Sequence, residues 1–172
     1  MWAARPRSVD PAGPVRAGAA FTLIELIVVV VILAILAAVV IPQVTGTASM
    51  KAQSAARLVM SDLEYAQNLA ITTQTDITVT FDTSGNSYGV SNASGPLIHP
   101  ITKKTYAVDF DTAAGLKGVS LSAASFGGGS SVTFDSLGAP SPDGSASVSA
   151  GASSYAVTVA PVTGRVTVAE TP

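Results

Sequence analysis

Chemistry needs titratable or nucleophilic side chains in convergent positions, and this chain offers few of them. There is no cysteine, which removes thiolate metal sites, disulfides and a cysteine nucleophile. The one histidine, His99, stands between Ile98 and Pro100 in an expected loop, where a turn or surface role outweighs that of a base or ligand. Asp109 and Asp111 flank Phe110 and would share one strand face, superficially a carboxylate pair for acid–base or metal work. Nothing nearby completes such a site, so a solvated strand face is the better reading. Asp82, Asn86, Asp135 and Asp143 lie in turn sequences, where short polar side chains bond local backbone. Gly127-Gly128-Gly129 does not join a strand to a helix, so a phosphate loop is not expected. No enzyme active site, cofactor site or metal site can be assembled.

One carboxylate stands out by position. Glu25 lies inside a run of 21 residues, Phe21 to Ile41, that is otherwise apolar apart from Thr22. As a helix the run is about 31 Å long, close to one bilayer core. Its β-branched residues would suit a strand in water, but a lone strand in lipid leaves its backbone unsatisfied, so a helix is predicted. A carboxylate at the centre of a membrane helix costs about 3 kcal/mol, and less near an end. Glu25 is therefore either a charge tolerated at the interface or a charge awaiting a partner. If the chain were cut after Ala20, a new amino group on Phe21 would lie one helical turn from Glu25. The two could pair within one subunit or between neighbours.

The flanks support a membrane orientation. Residues 1–20 contain Arg5, Arg7 and Arg16 against Asp10, whereas the whole chain holds 9 basic and 11 acidic residues. A basic leader before an apolar run keeps its own end in the cytoplasm. The acidic remainder has no basic stripe of the kind that binds nucleic acid. A secretory signal peptide competes for this segment, with Ala48 available for a conventional cut after the run. The small residues Gly18, Ala19 and Ala20 instead precede it.

Ala20-Phe21-Thr22-Leu23-Ile24-Glu25-Leu26 resembles the prepilin cleavage and methylation motif of type IV pilins and type II secretion pseudopilins. The resemblance implies a leader over residues 1–20, cleavage between Ala20 and Phe21 by a membrane prepilin peptidase, and N-methylation of Phe21. It makes Glu25 the assembly carboxylate and Pro42 the helix-kinking proline. Ala20 departs from the family's usual glycine, Gly18 offers an alternative cut, and the length of the leader allows a start codon after Met1.

Residues 42–74 are expected to continue the helix in amphipathic form. Ala52, Ala55, Val59, Leu63, Ala66 and Ala70 recur at three- and four-residue spacing and make one apolar face. Lys51, Arg57, Asp62, Glu64 and Gln67 are assigned to the other faces. Pro42, with Thr45, Gly46 and Thr47, marks a soft point.

From residue 75 the period changes to two. Alternation in Ile77–Phe81, Ser87–Val90, Tyr106–Phe110, Val119–Leu121, Val132–Phe134, Ser145–Ser149, Tyr155–Val159 and Arg165–Val168 predicts about eight short antiparallel strands. The fold class is thus α+β. A long N-terminal helix, membrane-spanning in its first half (21–41) and amphipathic in its second (42–74), packs on a β-rich head over 75–172.

The order of helix, hairpin and further strands through Val-Thr-Phe-Asp-Ser-Leu-Gly-Ala-Pro at 132–140 resembles the H-type minor pseudopilins (GspH-like) and the FimT-like minor pilins. That resemblance implies a structural subunit of a type II secretion pseudopilus or a type IV pilus-like filament. It implies a single pass through the bacterial inner membrane, with the head periplasmic or extracellular, before entry into the filament. Implied partners are the prepilin peptidase, other pilins, membrane lipid before assembly and, indirectly, an assembly ATPase and a platform membrane protein. The alternative is a FimT-like minor pilin that binds DNA or another surface ligand. Gly164-Arg165-Val166-Thr167 keeps the first arginine of a Gly-Arg-x-Arg pattern and lacks the second, so Arg165 is a weak candidate contact and a nucleic-acid partner is not expected.

Overall fold

A computed structural model describes residues 21–171, and for residues 38–46 the helical backbone alone. The expected leader, including Ala20, lies outside the described residues. Internal contacts divide the chain into two units, Met1–Val39 and Val40–Pro172, each described by itself.

A single helix, α1, runs over Leu23–Thr73. In the first unit its described side chains, Leu23 to Ala37, are all exposed. Bulky apolar groups are among them, with Leu23 at 77% and Ile35 at 60% of full exposure. Among the described residues, no helix is long and apolar enough to cross a membrane. The kink expected at Pro42 falls within 38–46, where only the helical assignment is described.

In the second unit the remainder of α1 is followed by ten strands rather than eight. They are β1 (Ile77–Asp82), β2 (Ser87–Asn92), β3 (Gly95–Pro96), β4 (Ala107–Asp109), β5 (Ser120–Phe126), β6 (Ser131–Phe134), β7 (Pro140–Ser141), β8 (Gly144–Ala150), β9 (Ser153–Val159) and β10 (Val166–Thr171). One sheet has the order β3-β2-β1-β6-β7 with β4 added beside β2, and the other β10-β9-β8-β5. Every pairing is antiparallel. The two strands the sequence did not reveal, β3 and β7, are each two residues long and contain a proline. They show no alternation and cap sheet edges, where a missing N–H is tolerated.

The alternation sets which side chains enter the core. Ile77, Val79 and Phe81 of β1 and Val132 and Phe134 of β6 point inward, and their neighbours do not. One cluster unites them with Val148, Val157 and Val159 of the other sheet and with Ala52, Ala55, Ala56, Val59, Leu63, Ala66 and Ala70 of α1. Alanine on five of those seven helix positions lets the sheets approach the helix backbone closely while favouring helix formation. Gly127-Gly128-Gly129 is part of a tight turn in which Phe126 and Gly129 exchange both backbone hydrogen bonds at 2.9 Å.

Candidate functional site

The charge singled out by the sequence occupies the start of α1. Thr22 is the N-cap: its carbonyl accepts from the Leu26 N–H at 3.3 Å, and its hydroxyl accepts from the Glu25 N–H at 3.2 Å. Thr22-Leu23-Ile24-Glu25 thus has the spacing of a capping box. That signal is visible in the sequence itself. Phe21, Glu25, Leu26 and Val29 line a shallow depression along one face of the helix. A carboxylate in the first turn opposes the positive end of the helix dipole. Glu25 can also face a cation delivered from outside, because its own helix supplies none within that turn.

A second polar constellation was missed. Asp62 was assigned to a polar face of the helix; it is instead buried, at 8% exposure. It lies three residues after Val59 and four before Ala66, on the stripe that meets the sheets. The Tyr88 hydroxyl of β2 donates to it at 2.5 Å, and the Tyr106 hydroxyl, just before β4, donates at 3.0 Å. Burial pushes the carboxyl above its ordinary value of 3.8, while the two tyrosine hydrogen bonds and the nearby His99 pull it back. Burial likewise raises the Tyr88 phenol well above its ordinary 10.0, reinforced by the charge and hydrogen bond of Asp62, and Tyr106 moves the same way. Tyr106 also packs against Tyr65 and, edge-on, against His99. The cluster ties helix to sheet. No buried polar side-chain atom among the described residues is left without a partner.

A third junction lies near the end of α1. The Gln67 amide donates to the Gly138 carbonyl at 2.8 Å and to the Thr163 carbonyl at 2.9 Å. One side chain therefore holds the β6–β7 turn and the β9–β10 turn together. Gly164 has φ +64 there, and an added Cβ would lie 2.3 Å from the Gln67 amide nitrogen and 2.7 Å from the Gly138 oxygen. The glycine of the Gly164-Arg165 pair is thus required by the helix–turn contact. Arg165 itself is exposed, just before β10.

The remaining sequence candidates resolve into turn chemistry. Asp109 and Asp111 do not share a strand face, because β4 ends at Asp109. The Asp109 carboxylate accepts from the Asp111 N–H at 2.8 Å and from the Thr112 hydroxyl at 2.9 Å, which holds its carboxyl below the ordinary range. Asp82 and Asp135 bond backbone N–H groups of their own turns, as expected. Asn86 reaches farther, to the Val119 carbonyl and the Leu121 N–H. No group of three histidine, cysteine or acidic residues among the described residues could hold a metal ion.

The family model described as Type II transport protein GspH matches residues 55–163. The prokaryotic N-terminal methylation motif matches residues 16–41. Among solved structures, the chain is similar to the minor pseudopilin EpsH from the Type 2 Secretion System of Vibrio cholerae. That match has 16% identity and a TM-score of 0.51, and covers 70% of this chain and 96% of that one. It is also similar to the type IV minor pilin FimU of Pseudomonas aeruginosa, with 16% identity and a TM-score of 0.48, covering 70% of this chain and 88% of that one. At these identities the likeness is one of fold. No curated protein matches the chain.

Proposed function

The chain belongs to the GspH family of type II transport proteins, a family of structural pilin-like subunits, and on that premise we propose that it is a minor, H-type subunit of a secretion pseudopilus. The observation that carries this is the order of the two matches on one chain: a methylation motif over 16–41, then the family's head over 55–163.

The proposed course begins with a precursor held once in the bacterial inner membrane, its basic N-terminus cytoplasmic and its head periplasmic. The prepilin peptidase cuts between Ala20 and Phe21 and the new amine is methylated. That amine places a positive charge beside the positive end of the helix dipole, an unfavourable arrangement that a carboxylate in the first turn offsets. Glu25 is that carboxylate. In the filament it answers the Phe21 amine of a neighbour, which sets the axial register, because any other register leaves both charges unpaired in an apolar core. Helix association within lipid has little hydrophobic driving force. Extraction therefore draws on an assembly ATPase acting through a platform membrane protein. Pro42 supplies the local give in the helix as it leaves the bilayer.

The DNA-binding alternative rests on Arg165 alone, with Thr167 in place of a second arginine. Phosphate affinity grows with the number of cationic contacts, and one is too few. The test of the main reading is the Glu25→Leu variant in a cell that assembles the filament. Processing at Phe21 should continue, while recovery of the variant in the sheared filament fraction should fall. Undiminished recovery would remove Glu25 from the assembly step.

A further inference from the structure

The loop between β3 and β4 has a built tip whose chemistry differs from the rest of the head. Its base is closed by the Tyr106 N–H donating to the Leu97 carbonyl at 2.7 Å and by the bridge between Ile98 and Thr105. Above the base, the His99 N–H donates to the Lys104 carbonyl at 2.8 Å and the Lys103 N–H donates to the His99 carbonyl at 3.0 Å. The His99 ring completes the turn. Its Nδ1 accepts from the Ile101 N–H at 3.1 Å and the Thr102 N–H at 3.3 Å, and the ring makes an edge-to-face contact with Tyr106 at 4.6 Å between centroids. Tyr106 in turn is fixed by Asp62. Lys103 adopts φ +57, a conformation uncommon for a residue with a Cβ. The tip is therefore ordered from the core outward.

This ordered tip displays two apolar side chains to solvent, Ile98 at 60% and Ile101 at 84% exposure, beside the exposed Lys103 and Lys104. Residues 83–108 contain these two lysines and no acidic residue, whereas residues 109–171 contain five acidic residues against Lys117 and Arg165. Apolar anchors beside a pair of like charges fit a complementary surface of opposite sign. We propose that the 98–104 tip docks an acidic face on the head of another subunit of the filament, with Ile98 and Ile101 as anchors and Lys103 and Lys104 as the charges that select it.

This rests on the filament reading above and names the surface through which that reading would operate. A lipid surface fits less well, because the tip has no tryptophan or tyrosine exposed at its end to sit among headgroups. Nucleic acid would need more cations and an exposed aromatic platform.

The test uses the full-length chain in a cell that assembles the filament, with a photo-crosslinking amino acid at position 101. The crosslinked peptide should map to an acidic segment of another subunit that carries the same cleavage motif. Lys103→Glu combined with Lys104→Glu should lower the crosslink yield about tenfold, while Lys117→Glu leaves it unchanged. His99→Phe, which removes the acceptor, should lower it as well, and His99→Asn, which can accept the same two N–H groups, should restore it. Crosslinks to lipid, to a segment without acidic residues, or with a yield indifferent to the double charge reversal overturn the proposal. Processing at Phe21 and filament recovery are scored in parallel. If both hold while the crosslink fails, the tip assignment alone falls. If the wild-type chain is never found in the filament, the filament reading falls and this inference with it.

Discussion

The two halves of α1 use opposite solutions to the problem of burying a helix. From Leu23 to Ala37 most side chains are large and many are β-branched, and all are exposed. From Ala52 to Ala70 the buried face is mostly alanine, with Val59 and Leu63 as its larger apolar groups and Asp62 as its buried polar one. A small-residue face brings a sheet close to the helix axis and fixes the contact in one geometry. A continuous bulky surface suits lipid tails or the like helices of neighbouring subunits, the surroundings that the proposed function gives it. Each half also has one carboxylate set apart by its position, Glu25 in the first and Asp62, near the exposed Glu64, in the second. Asp62 has its partners built in, Tyr88 and Tyr106. Among the described residues, Glu25 has a backbone cap but no cation; in the proposed function its partner is supplied by processing and assembly.

Removing each carboxylate should separate these roles. Glu25→Leu is expected to give the largest effect, a fall in filament incorporation of a hundredfold or more. This corresponds to roughly 3 kcal/mol for leaving a neighbour's amine unpaired in an apolar core. Head stability should not change, as denaturant unfolding of the full chain in detergent would show. Asp62→Ala should do the reverse, costing roughly 3 kcal/mol of head stability by orphaning two phenol hydroxyls and leaving a cavity. N-terminal processing should proceed as in the parent chain.

Size should matter on one half only. Ala66→Leu is expected to cost about 1–3 kcal/mol by overpacking the helix–sheet contact, while Val30→Leu leaves the melting of the head where it was. Gly164→Ala should cost a comparable amount, through both a strained φ and collision with Gln67. A smaller and subtler effect is expected from pH. The Asp62 carboxyl is raised in the folded chain, so the folded state holds its proton where the unfolded state has released it. Stability referred to an Asp62→Asn chain should therefore be greatest below the ordinary value of 3.8 and decline as pH rises through the raised value. Asp109 is shifted in the opposite sense and exposed. Against Asp109→Asn, wild-type stability should decline slightly as pH falls below 3.8. Urea unfolding across a pH series of the three chains measures both slopes.

Much of this architecture could be read from the residues. Phe21 and Glu25 fall within the matched methylation motif, and the alternation in β1, β6 and β9 marks inward faces directly. What escaped was polarity overridden by position. Asp62 sits in phase with Val59 and Ala66, but its charge argued for an outer face. Its burial depends on Tyr88 and Tyr106, distant in sequence and ordinary as strand residues. Asp109 and Asp111 erred the other way: β4 ends at Asp109, short of Asp111, so the seeming pair belongs to a turn. The strands β3 and β7 are too short for a period to show. Gly164 looked like part of a ligand motif, and its need for φ +64 becomes visible only once Gln67 stands over it.

The central claim is that Phe21 begins the mature chain and brings its amine to Glu25. Mass spectrometry of the N-terminal peptide from membrane-extracted protein tests it most directly. The account predicts a mature chain that starts at N-methylated Phe21. A chain that retains Met1, or starts anywhere after Ile41, would contradict it.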